Sequence, residues 1–204
     1  MSKGSGDTRG ANYSLSRNSA YGKYLNNLES YGGDVKLSYF SEEGKGHLVW
    51  LKGHGNQKSI QEIKQDPEYK VAVILADNGY EVILTPEGPQ YRLSISRAKS
   101  KKGVPTYVEG TISAVTYEQH TPISPAESAY RSLKHAHEKN AEIALIYDEN
   151  RVYHREAIAK GIHEYLTDTK ITNRTMFKSV ITINADKQIH FWDLVDDYEI
   201  KYKK

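Results

Sequence analysis

Pro67-Glu68-Tyr69-Lys70-Val71-Ala72-Val73-Ile74-Leu75-Ala76-Asp77-Asn78-Gly79-Tyr80-Glu81-Val82-Ile83-Leu84 holds a helix, its stop and a strand in one short stretch. Asp66 stands before it as an N-cap. Pro67 suits the first helical position, where its missing N–H costs nothing, and Glu68 falls in the first turn, where negative charge favours the helix dipole. Val71, Ile74 and Leu75 recur at helical spacing, Asn78-Gly79 supplies a left-handed stop, and Tyr80 to Leu84 alternates as a strand.

Downstream, no acidic residue occurs between Gly88 and Val108, while Arg92, Arg97, Lys99, Lys101 and Lys102 give that stretch a local charge of +5. Two short strands follow, over 105–112 and 114–120, carrying Glu109, Glu118 and His120. A second capped helix starts at Ser124, with Pro125 at N1 and Glu127 at N3 in capping-box spacing, and runs to Lys139. Within Ala141 to Tyr147 the apolar run Ile143-Ala144-Leu145-Ile146 marks a strand buried on both faces. A helix over 154–166 places Ile158, Ile162 and Leu166 at spacings of four, and strands at Phe177–Ile183 and Ile189–Leu194 flank the turn Asn184-Ala185-Asp186-Lys187. The fold class is α+β (α/β): a mixed central sheet with flanking helices.

Upstream, residues 1–18 are rich in Gly, Ser, Asn and charge and read as a flexible tail. Tyr21, Tyr24, Leu25 and Leu28 make one face of a short helix closed by Gly32-Gly33, and 34–52 reads as a hairpin. Three parts result: the tail, an N-terminal accessory helix and hairpin over 19–56, and an α/β domain over 57–204.

The 204 residues include 28 basic and 26 acidic side chains, a net +2 that announces no nucleic-acid partner by itself. Cysteine is absent, so thiolate zinc and thiol nucleophiles are excluded, and any metal must use oxygen or imidazole. No apolar run reaches the roughly 18 residues of a membrane span, and the first residues carry no apolar core of a secretory signal. The expected location is the cytoplasm, with no membrane partner. Tyrosine is in excess, at 16 against 3 Phe and 2 Trp.

No Gly-rich phosphate loop links a strand to a helix, no serine sits in a nucleophile elbow, and no His-Glu-x-x-His occurs. The eight histidines, at 47, 54, 120, 135, 137, 154, 163 and 190, are scattered and read mostly as surface or helix-end residues. Glu118 and His120, two apart in a strand, leave the same face, and Glu109 approaches them if the two strands pair. Such a group suits a hard divalent ion beside a water-positioning side chain; a solvent-facing cross-strand cluster accounts for the same spacing.

The stretch from Pro67 to Leu84, with its Ala76-Asp77-Asn78-Gly79-Tyr80 core, resembles the opening helix and first core strand of the C-terminal tRNA-nuclease domains of CdiA-type contact-dependent growth inhibition toxins. Related domains occur in polymorphic toxins, phages and mobile elements. The resemblance covers about residues 60–194 and implies a PD-(D/E)xK restriction-endonuclease-like fold. By it, Glu68 falls at the helix glutamate, Glu109 at the usual Asp, and Glu118-Gln119-His120 at the (D/E)xK strand. Ser124–Lys139 then falls at the following helix and Ala141–Tyr147 at the apolar strand.

Two departures stand out. Glu109 replaces an Asp and keeps a carboxylate. His120 replaces a Lys, so a ring with an ordinary pKa of about 6.5 stands where a fixed charge is usual.

The resemblance implies a metal-dependent nuclease acting on RNA, tRNA above all, with an immunity protein as a possible partner. Mg or Mn would be held by Glu109, Glu118 and His120. Glu68, Glu109, Glu118, His120 and Lys134 would be the catalytic set, with Lys134 or Arg131 supplying the charge missing at 120. Arg92, Arg97, Lys99, Lys101, Lys102 and Arg131 would contact phosphates. The alternative is a catalytically degenerate member serving as a nucleic-acid-binding or structural module of a phage or mobile element. The basic stretch also reads as a solvated loop. Tyr91, Tyr107 and Tyr117 read either as stacking platforms for unpaired bases or as half-buried strand surface.

Overall fold

A computed structural model of the chain describes residues 11–17, 34–43, 46–55, 57–85, 110–116, 124–147, 149, 155–174, 177–183 and 185–192. The chain divides into two compact units, one over Ala11–Ile112 and one from Ser113 onward.

The first unit contains β1 (Ala11–Arg17), β2 (Val35–Phe40), β3 (His47–Leu51), the helices α1 (Ile60–Gln65) and α2 (Pro67–Asp77), and β4 (Tyr80–Leu84). The local signals act as their chemistry dictates. Asp66 Oδ1 accepts the Glu68 amide at 2.8 Å with Pro67 at the helix start, and Gly79 takes the left-handed turn at φ +85°. A complete capping box starts α1: Ser59 Oγ accepts the Glu62 amide at 3.2 Å while Glu62 Oε2 accepts the Ser59 amide at 2.7 Å.

β2 and β3 form the predicted hairpin, antiparallel with Phe40 opposite His47. β3 then pairs in parallel with β4, Trp50 beside Leu84, so the chain must cross back through α1 and α2. The hairpin read as accessory and the helix-strand stretch read as opening a separate domain at 57 therefore share one set of paired strands.

β1 pairs antiparallel with the other edge of β4, Leu15 opposite Val82, although the sequence placed 11–17 in a flexible tail. Those residues gain order from a ladder whose partner lies some seventy positions away, which local composition does not register. With both edges paired, β4 buries all five of its side chains, Glu81 included, where alternation predicted one exposed face. The helix read at Tyr21–Leu28 lies outside the described residues.

β5 (Gly110–Thr116) runs across the division between the units as one unbroken strand. After it come α3 (Pro125–Glu138), β6 (Ile143–Tyr147), α4 (Arg155–Thr167), β7 (Ser179–Ile183) and β8 (Ile189–Trp192). β6 and β7 are parallel, joined through α4, and β7 turns back into β8. Both units are thus mixed α+β, as the sequence predicts.

Ser124 Oγ accepts the Glu127 amide at 3.1 Å at the start of α3. The core of the second unit gathers Ala129, Leu133 and Ala136 of α3, Ala144 and Ile146 of β6, and Ile158, Ile162 and Tyr165 of α4, all fully buried. Small residues let α3 and α4 approach: a Cβ on Gly161 would fall inside the Ala126 carbonyl oxygen and 2.6 Å from the Ala129 Cβ. Gly161→Ala should therefore destabilise the protein by about 1–3 kcal/mol, the usual cost of overpacking against backbone, measured by urea unfolding.

Candidate functional site

Glu68 is the one carboxylate of the expected catalytic set within the described residues, and it stands where α/β folds collect chemistry. α2 starts at the C-terminal ends of the parallel strands β3 and β4, the edge at which open α/β sheets expose their crevices. Its second residue, Glu68, is 8% exposed, so its carboxylate needs partners inside the protein.

The partner is His54. Beyond β3 the chain turns through Lys52 and Gly53, with Gly53 at φ +89° and Gly55 at φ +66°, left-handed values that only glycine adopts without strain. Bracketed by these two glycines, His54 turns inward, 2% exposed, its ring edge-on to Trp50 at a centroid distance of 4.5 Å. His54 Nε2 lies 2.6 Å from Glu68 Oε2, and Nδ1 lies 2.6 Å from the Thr85 carbonyl just past β4. A carbonyl oxygen only accepts, so Nδ1 carries a hydrogen and donates it.

Beside this pair, Asp66 is also buried, and its Oδ2 accepts from Lys58 Nζ. Two buried carboxylates at one helix start thus each face a basic side chain of the same unit.

The expected helpers belong to the second unit. Arg131 and Lys134 are exposed residues of α3 in the second unit. Arg131 pairs with Glu127 one turn back, in the favourable i,i+4 order. The Tyr130 hydroxyl donates to Asp168 after α4 and, with the Lys170 amide at 2.9 Å and a smaller contribution from the Lys134 charge, holds that carboxyl below its ordinary range.

Glu109, Glu118 and His120, and the basic residues Arg92, Arg97, Lys99, Lys101 and Lys102, lie outside the described residues. The strand between them is described. The sequence predicts two strands, over 105–112 and 114–120, with Glu109 approaching Glu118 if they pair; instead one strand, β5, spans Gly110 to Thr116, about 20 Å at the usual rise per residue. Glu109 precedes its first residue and Glu118 follows its last by two. Among the described residues no three His, Asp or Glu side chains gather as a metal site requires. No helix of the described residues is long and apolar enough to cross a membrane.

No protein-family model, curated protein or solved structure matches the chain. The chemistry is therefore read from its own residues. His54, read by sequence among scattered histidines that are mostly surface or helix-end residues, is 2% exposed at the first unit's strand edge. The Gly53-His54-Gly55 bracket after Trp50 is the one local signal that could have marked it.

Two measurements check this account. Replacing either partner of the buried pair leaves the other uncompensated, so His54→Ala and Glu68→Ala should each cost about 3–5 kcal/mol in urea unfolding. The depressed Asp168 pKa stabilises the fold above the ordinary carboxylate value near 4, and that share is lost as pH falls through the lower folded value. Tyr130→Phe removes the main cause; the gap in unfolding midpoint between wild type and variant should be widest near pH 6 and close toward pH 2.

Proposed function

We propose that this chain is a catalytically degenerate relative of the CdiA-type tRNA-nuclease domains, a PD-(D/E)xK-like module that holds RNA in the cytoplasm without cutting it. The observation that carries this reading is the unbroken β5. A hydrolytic site of that class needs the carboxylates at 109 and 118 on one ion, and in the chain the unbroken strand Gly110–Thr116 stands between those two positions. His120 in place of the usual Lys, and Glu68 engaged by His54, support the same reading.

Holding RNA falls to the stretch between β4 and β5, where Arg92, Arg97, Lys99, Lys101 and Lys102 can meet phosphates and Tyr91 and Tyr107 can stack on unpaired bases.

A second reading, an active metal-dependent tRNase toxin with an immunity partner, is favoured by one observation: α2, β4, β5, α3 and β6 follow one another in the order of the resembled domain. In it Glu109, Glu118 and His120 would hold Mg or Mn, whose chemistry there would be water activation and neutralisation of phosphate charge, with Glu68 and Lys134 in the catalytic roles that the resemblance implies.

Purified protein incubated with total tRNA and with plasmid DNA, in Mg2+, Mn2+ and EDTA, separates the readings. Binding of intact tRNA under every condition is expected, and with all five basic residues engaged the log–log salt slope should be about −3.5. Lys101→Glu with Lys102→Glu should flatten that slope. Cleavage abolished by EDTA and by both Glu118→Ala and His120→Ala would establish the second reading instead. Neither binding nor cleavage would overturn both and leave a protein-interaction module.

A further inference from the structure

We infer that the His54 ring occupies the Glu68 carboxyl group in place of a divalent metal, so that Glu68 ties strands together and takes no ion. Both ring nitrogens stand 2.6 Å from oxygen atoms, one a carbonyl and one a carboxylate. The Nδ1 hydrogen is committed to Thr85. A contact of 2.6 Å between Nε2 and Oε2 also requires a hydrogen, because two bare lone pairs repel at that distance. Whichever of the two atoms carries it, imidazole and carboxyl together have no net charge. A hard divalent ion is drawn to carboxylates by their charge, and this one is already balanced.

The neighbourhood repeats the pattern. Asp66, buried two residues earlier, is balanced by Lys58, while its Oδ1 is taken by the Glu68 amide. Swinging the ring aside to admit an ion would take it off the edge of Trp50 and off the Thr85 carbonyl. What the pair does instead is join three segments at one strand edge: the exit of β3, the start of α2 and the exit of β4. This disagrees with the catalytic role that the resemblance implies for Glu68, and it stands apart from RNA holding.

The test uses the full chain and Mn2+ alone, with no nucleic acid, so failure to bind tRNA would sink the proposed function and leave this inference untouched. Free Mn2+ is followed by electron paramagnetic resonance during titration of wild type and Glu68→Gln, an isosteric change that keeps a donor and an acceptor. Equal affinity within twofold is expected; a wild type binding at least tenfold more tightly would overturn the inference. His54→Ala should acquire a Mn2+-dependent rise in unfolding temperature that disappears in His54→Ala with Glu68→Gln, and a folded His54→Ala indifferent to Mn2+ would equally overturn it. His54→Gln, closer in volume, serves if the alanine variant does not fold. In the unaltered protein, submillimolar Mn2+ should leave the His54 ring signals in NMR sharp; their selective broadening would place an ion at Glu68 and refute the inference.

Discussion

Parallel pairing of β3 with β4 is the constraint from which the first unit follows. Two parallel neighbours cannot be joined by a tight turn, so the chain must leave the end of β3, travel back along the sheet and re-enter at the start of β4. α1 and α2 are that return path. Their placement brings the start of α2 to the ends of both strands, and Gly46 lies under the other end of the helix, where a Cβ would stand 2.8 Å from the Ala76 Cα. The second unit obeys the same constraint, with α4 returning the chain from β6 to β7.

Charge at the strand edge follows from burial. Two carboxylates there, Asp66 and Glu68, are almost wholly removed from water, and an uncompensated ion in that position would be untenable. Lys58 reaches one and His54 the other. The histidine can do so because glycines on either side allow a backbone path that points its ring inward, and because Thr85 offers an acceptor for its second nitrogen. The outcome is an edge built like a functional crevice but internally neutral, directly before the stretch that carries the chain's concentrated positive charge.

Legibility in the sequence tracks the range of the interactions involved. The cap of α2 by Asp66, the stop at Gly79, the start of α3 at Ser124 and the buried apolar strand β6 depend on residues within a few positions of one another, and each reads directly from the letters. β1 does not, because Ala11–Arg17 carries too little apolar pattern to announce a strand until β4 supplies the ladder. The two strands expected over 105–112 and 114–120 are one strand across Gly110–Thr116, since strand pattern alone does not fix where a ladder breaks. Glu68 was singled out by resemblance, but its partner fourteen positions earlier was invisible, since nothing local links a histidine in one loop to a glutamate on the next helix.

The sequence by itself determined the kinds and order of most elements, the helix ends, the absence of thiol chemistry and the concentration of basic charge between Gly88 and Val108. Those properties are set by short-range sterics, capping and composition. Only the tertiary structure decided that the N-terminal strands belong with α2 and β4, that β5 makes no reversal, and that Glu68 is answered by His54. Each of these depends on groups brought together across intervening chain, where pairing and desolvation, not local propensity, decide the energy.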